Sequence, residues 1–294
     1  MKQEVMVSVI MITYNHEKYI EEAIHGVLMQ ECDFGYELII ANDHSTDETG
    51  KVIQRILLNH PQAAVINFLN REANLGMVQN FVDAFKRSKG KYIALCEGDD
   101  YWTDTLKLQK QVNFLEKNHE YSMVCHDALV IDEVKEISYP YFTGAHQKQI
   151  CSTKDIFGIR FCATASMLFR KESLKYVDFP DFKILTGDLF LQLLISLHGP
   201  IFRMYEVMSV YRITAKGATE ANKRDLKTLI LNRIELFTYF NKISHKKYNK
   251  FIRIETLVMK SEIDYRDSKS LIRTMTLKLY LKALFAYRKK VFHF

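Results

Sequence analysis

Three carboxylates, Glu97, Asp99 and Asp100, crowd into one short stretch, Ala94-Leu-Cys-Glu-Gly-Asp-Asp-Tyr-Trp102. Side chains this close repel one another unless a cation neutralises them. Magnesium and manganese accept oxygen ligands of this kind and leave positions open for substrate phosphates. The stretch continues an apolar run, Tyr92 to Cys96, that predicts a buried strand, so the cluster arrives where a strand ends. Ligand crevices of open α/β sheets lie beyond the carboxyl ends of the strands. The competing reading is a polar loop whose aspartates cap the next helix, since acidic turns are common.

The elements before this cluster alternate. Residues 5–13 form a β-branched, nearly continuous apolar run, the pattern of a strand buried on both faces. Asn15 is placed to cap a helix with the stripe Ile20, Ala23, Ile24, Val27 and Leu28. Leu38 to Ala41 predicts a second strand, which empties into Asn42-Asp43-His44-Ser45-Thr46-Asp47-Glu48. Ser45 and Glu48 have capping-box spacing ahead of a helix carrying Val52, Ile53, Ile56 and Leu57. Ala64 to Leu69 is a third strand, Asn74-Leu-Gly76 a turn, and Val78, Phe81, Val82 and Phe85 the core face of a third helix. Such alternation implies βαβ units and a doubly wound, mostly parallel α/β sheet. The absence of GxGxxG after the first strand and of GxxxxGK[ST] argues against dinucleotide and P-loop chemistry.

Further on, Thr103 is placed to cap a helix reaching about Asn118, with Leu106, Leu108, Val112 and Leu115 apolar. Strands are expected at Met123–Ile131 and Ala165–Phe169, a loop at 132–152, and a strand pair over Ile201–Arg212. Gly187-Asp188 opens an apolar helix that Gly199-Pro200 stops. Beyond Ala221 the chain turns into long, basic, amphipathic helices. The expected division is a catalytic domain over 1–220 and a helical region over 221–294.

Composition narrows the class. The five cysteines of the 294 residues lack CxxC spacing, which argues for a reducing compartment and against a zinc site. No signal peptide is visible, and no apolar run is long enough to span a bilayer. The net charge of +6 is uneven: residues 222–294 carry 18 Lys and Arg against 6 Asp and Glu, residues 1–221 carry 23 against 29. A basic tail on an acidic body points to an anionic surface as partner. No nucleic-acid partner is expected.

Over residues 5–215 the chain resembles a family 2 glycosyltransferase with the GT-A fold, of the bacterial, non-processive type. The resemblance rests on ordered landmarks: Thr13-Tyr14-Asn15, Asn42-Asp43-His44-Ser45-Thr46-Asp47, Asn74-Leu-Gly76, Glu97-Gly-Asp99-Asp100 with Tyr101-Trp102, and Gly187-Asp188. It implies that Thr13, Tyr14, Asn15, Asp43, Asn74, Gly76 and Asp99 bind the donor nucleotide. It implies a divalent metal, manganese or magnesium, served by Asp99, Glu97 and Asp100, and Asp188 as general base of an inverting transfer. Asn42 and His44 replace the family's frequent Asp and Gly, and Glu97 replaces the first Asp of the DxD. The Gln-x-x-Arg-Trp of processive members is absent, Tyr211-Arg212 being only a fragment, which favours addition of a single sugar.

The chemistry needs these groups. A departing nucleoside diphosphate gains charge that a cation stabilises, and the acceptor hydroxyl must lose a proton to a base on the opposite side of the sugar. Asp188 has an alternative role as helix N-cap, and Asp43 as a turn aspartate. As a base reader, Asp43 accepts a ring N–H, which uracil, thymine and guanine present; family habit puts a UDP-sugar first. Trp102 is expected to pack, with a sugar-facing role as the alternative. The competing functions are a sugar-nucleotide pyrophosphorylase, which needs a Gly-rich basic loop where Tyr14-Asn-His-Glu-Lys18 stands, and a non-catalytic scaffold of an envelope assembly complex. The expected acceptor is a sugar or lipid-linked hydroxyl, and the expected location the cytoplasm, peripheral on the inner membrane face. For the tail a helical cap, a homo-oligomer contact and an anionic membrane contact compete, the last helix carrying Leu277, Leu281, Leu284 and Phe285 beside Arg288-Lys-Lys290.

Overall fold

The first four strands of the computed structural model run parallel, and helices link them. The structure describes residues 4–142, 148–157, 161–177, 179–180, 182–215, 217, 220 and 225–267. Strands β1 (Val5–Thr13), β2 (Gly35–Asn42), β3 (Ile66–Asn70) and β4 (Tyr92–Leu95) alternate with helices α1 (Ile20–Leu28), α2 (Thr49–Asn59) and α3 (Met77–Arg87). Their order in the sheet is β3-β2-β1-β4. The chain therefore winds outward from β1 to β3 and then crosses back to β4, and the crevice of such a sheet opens at that reversal. The register puts Thr13 beside Asn42 and Ile10 beside Leu95, so three strand ends meet there.

Beyond β4 the sheet is mixed. Strands β5 (Tyr101–Trp102), β6 (Met123–Asp132), β7 (Ile137–Pro140), β8 (Ile150–Cys151), β9 (Leu168–Arg170) and β10 (Ile201–Ile213) extend it. The path continues β4-β9-β6-β10-β5, with β9 antiparallel to both neighbours and β6 parallel to β10. Helices α4 (Lys107–Lys117), α5 (Thr153–Ile156) and α6 (Gly187–Ile195) complete this half. The expected strand pair over 201–212 is one long strand, whose register slips between Arg203 and Ser209 where a pair of bulges bends it. Part of the expected loop at 132–152 is recruited as β7 and β8, and the strand expected from Ala165 begins at Leu168.

Two apolar layers sandwich the sheet. One gathers the stripe of α1 with Leu38, Ile40, Tyr92, Trp102 and Leu108. The other packs Phe81 and Phe85 of α3 with Phe169, Phe190 and Leu193. Helices α7 (Leu226–Ile243) and α8 (Asn249–Asp267) join this second layer through Leu236, Phe237, Phe240 and Ile252. Phe157 is the hinge of that contact, with Phe237 at 5.2 Å and Phe240 at 5.8 Å between ring centroids. Of the three roles weighed for the tail, its described part takes that of a helical cap. The segment 275–290 lies outside the described residues.

The caps expected from sequence form differently. Neither α1, α2 nor α4 has a side-chain cap; Tyr19, Glu48 and Leu106 stand at those positions. Asn15 and Ser45 are instead spent on each other's loops, which builds the site.

Candidate active site

The loops after β1 and β2 are laced together by side chains. Asn15, with a positive φ of 57°, accepts from the Thr46 amide at 2.8 Å. Its own amide donates to Ser45 Oγ at 2.9 Å. The His16 amide reaches Thr49 Oγ1 and the Glu17 amide reaches Asp47. Asparagine tolerates the left-handed backbone that this crossing requires, which is why it stands here rather than at a helix cap. Tyr14 is left exposed at the loop tip.

Asp43, Asn74 and Gly76 form one knot. Asp43 is 4% exposed, and its two carboxylate oxygens accept from the amides of Leu75 (2.7 Å) and Gly76 (2.9 Å). Asn74 Nδ2 donates to the Asp43 carbonyl, and Asn74 Oδ1 accepts from the Gly76 amide. Gly76 holds φ +80°, open only to glycine at low cost. Asp43 thus fixes the turn before α3, whatever else it contacts.

The acidic stretch continues β4 along β1. The Gly98 amide donates to the Ile12 carbonyl, and a Cβ at Gly98 would lie 2.5 Å from Thr13 Oγ1 and 2.9 Å from His16 Nδ1. This close approach brings Asp99 to His16, whose Nε2 stands 3.8 Å from Asp99 Oδ2. Asp100 points the other way. It is 1% exposed, and its Oδ1 accepts from the Arg212 amide at 2.8 Å. Burial, with Asp99 and Glu97 beside it, pushes its carboxyl well above the usual range. Asp100 thus uses one oxygen on the Arg212 amide, while its Oδ2 is buried with no hydrogen-bond partner among the described residues. Trp102 is buried and donates to the Ala165 carbonyl, so it packs as expected.

Asp188 reaches the same place from the far half of the sheet. It is the second residue of α6, while Thr186 holds the cap position without a side-chain cap bond. The capping role is thus not what places Asp188 here. Glu97 feels it: burial first, then the charges of Asp99 and Asp188, raise the Glu97 carboxyl to about 8, against a hydroxyl bond from Thr164. Glu97, Asp99 and Asp188 are one electrostatic group. Among the described residues no three Asp, Glu, His or Cys side chains enclose an ion by themselves. Magnesium is commonly held by one or two carboxylates with substrate phosphates supplying the rest. Asp99, with Glu97 and Asp100 close in sequence, fits that share, and a cation there would offset the crowding of negative charge.

Three contributors escaped the sequence reading: His16, Thr164 and Arg212. Arg212 Nη1 donates to the Asp99 carbonyl at 2.8 Å. Its guanidinium pairs with Glu22 and lies 4.5 Å over the Tyr101 ring and 5.1 Å over that of Tyr19. Arg212 lies near the end of β10, and the sequence marked it only as part of the Tyr211-Arg212 fragment of the Gln-x-x-Arg-Trp motif.

Comparison with known proteins identifies the family and the fold. The family model described as glycosyl transferase family 2 matches residues 8–177. A protein of Mycobacterium tuberculosis is 36% identical over 212 residues, 71% of this chain and 59% of that one. The chain thus spans about three fifths of that relative's length. The Escherichia coli UDP-Glc:alpha-D-GlcNAc-diphosphoundecaprenol beta-1,3-glucosyltransferase WfaP is 27% identical over 270 residues, 90% of this chain and 99% of that one. Staphylococcus aureus TarS 1-349 in complex with UDP-GlcNAc superposes with a TM-score of 0.66 over 93% of this chain and 79% of that one, at 16% identity. At that identity the likeness establishes the fold, GT-A.

Proposed function

Because the chain belongs to glycosyl transferase family 2, we propose that it moves one sugar from a nucleotide-diphosphate donor, with UDP-sugars favoured, to an acceptor hydroxyl. The observation that carries this reading is the convergence of Glu97, Asp99 and Asp188 from opposite halves of the sheet. Tyr14, Asn15 and Asp43 border the place for the nucleoside, with Thr13, Asn74 and Gly76 shaping its walls. Asp99, with Glu97 and Asp100, would hold a divalent ion, which would supply counter-charge for the diphosphate. Asp188 takes the acceptor's proton across the sugar from the leaving group, so the anomeric carbon inverts. Arg212 and Asp100 hold the Asp99 backbone in place.

The acceptor is proposed to be a sugar or lipid-linked hydroxyl in cell-envelope polysaccharide or glycolipid synthesis. WfaP's own name specifies a diphosphoundecaprenol acceptor. The basic residues of 222–294 would attach the protein reversibly to an anionic membrane face, at about 1 kcal/mol per Lys or Arg near the surface. No helix among the described residues is long and apolar enough to cross a membrane. Donor hydrolysis and transfer, measured with manganese, with EDTA and with Asp99→Ala, test the central reading. Activity is expected only for the wild type with metal, and activity that survives EDTA or Asp99→Ala overturns the metal-dependent mechanism.

A further inference from the structure

A small cavity opens off the cleft between α3 and α6, and its chemistry bears on the donor. It rests on the sugar-transfer reading above. The cavity measures about 50 Å³. Its floor and walls are apolar: Ile10 and Leu95 from the sheet, Val78 and Phe81 from α3, Ile184 and Leu191 opposite. The polar side chains of the lining are Glu97, Thr164 and Asp188, and the surface the cavity presents is mostly apolar. An apolar cavity of roughly 150 Å³ holds benzene. One third of that volume takes a methyl or acetyl group. A water or hydroxyl inside needs polar partners that this lining withholds.

In the proposed reading the diphosphate lies toward Asp99 and the acceptor's proton goes to Asp188; Glu97 and Asp188 both line the cavity, so the donor ring held between these groups would border it. We propose that this cavity selects donor sugars with a methyl-bearing substituent, the acetyl of a 2-acetamido sugar or the methyl of a 6-deoxy sugar, over their hydroxyl-bearing counterparts.

Calorimetric titration of the full-length protein with manganese tests this, using two pairs of donors. UDP-N-acetylglucosamine is compared with UDP-glucose, and dTDP-6-deoxyglucose with dTDP-glucose. In one pair the methyl-bearing donor is expected to bind about tenfold tighter or more, and the pair that responds identifies the substituent. Val78→Phe fills the cavity and should abolish the preference while UDP binds as before. Leu191→Ala enlarges it and should admit the N-propionyl analogue. Equal affinities within both pairs refute the proposal, as does a preference that persists in Val78→Phe. If Val78→Phe loses UDP as well, Leu191→Ala decides, and no gain for the N-propionyl donor refutes. A protein that binds none of these nucleotide sugars, nor GDP-mannose, overturns the sugar-transfer reading itself.

Discussion

Asp43→Asn separates two roles that the site superimposes on one carboxylate. Both Asp43 oxygens accept backbone amides, Leu75 at 2.7 Å and Gly76 at 2.9 Å, in a place shielded from solvent. Asparagine has the same shape but only one acceptor, so an NH2 group would face an amide N–H. One charge-assisted bond, worth about 1.5–3 kcal/mol, is lost and the other becomes neutral at about 1 kcal/mol. The expected destabilisation is roughly 2–4 kcal/mol, which lowers Tm by about 5–15 °C for a domain of this size. Circular dichroism melts with and without UDP measure it, with Asn74→Ala as companion, because Asn74 braces the same turn. Both variants should melt early, and UDP should protect them less than the wild type. If Asp43→Asn melts like wild type and loses only UDP protection, the carboxylate serves the ligand alone. The turn bonds would then carry no weight.

Other residues give sharper single readouts. Asp188→Asn should leave Tm nearly unchanged, since Asp188 makes no cap bond, while turnover falls by about two to four orders of magnitude; a collapse in Tm would move the base elsewhere. Gly98→Ala forces a Cβ into Thr13 and His16, so a loss of about 1–3 kcal/mol by overpacking is expected with a drop in donor binding. Wild-type melting and binding in that variant would show that the two loops yield. Lys107, buried with its Nζ on Gln111 Oε1 and 3.9 Å over the Trp102 ring, has its amine pushed down from 10.5 to about 7 by burial. The fold favours the neutral amine while the unfolded chain keeps the proton, so this contribution to stability rises with pH above 7. Urea melts at pH 7, 8 and 9 should show wild type gaining on Lys107→Met by about 1.4 kcal/mol per pH unit at most; a flat difference refutes the shift.

The sequence was most legible at the ends of strands. Asp43, Glu97 and Asp99 each follow an apolar run, and the structure places them just beyond β2 and β4. It was least legible where a side chain crosses to another loop. Asn15 and Ser45 have the chemistry of caps, and only the folded approach of β1 to β2 offers them the Thr46 amide and the Asn42 carboxamide. Arg212 reaches a partner 113 residues away, and no local pattern records that distance. Asp100 could not be told from Asp99 by type or spacing, yet one turns to Arg212 and the other to His16.

The tail shows the same limit in another form. An amphipathic stripe reveals that a face is buried without revealing its partner. Here Phe237, Phe240 and Ile252 turn inward onto the catalytic layer, and Asn232 ties α7 to the loop before α6 through Leu185. Much of the apolar stripe is thereby covered by the body, while Leu231 and Leu257 stay exposed, as do Lys246 and Lys247 in the turn between the helices and Lys250 at the start of α8. Packing against Phe157 does not use these lysines, so the proposed contact with anionic headgroups is compatible with the cap. Sedimentation with anionic vesicles should show binding at low salt that weakens as salt screens it, and no binding at low salt refutes the membrane proposal.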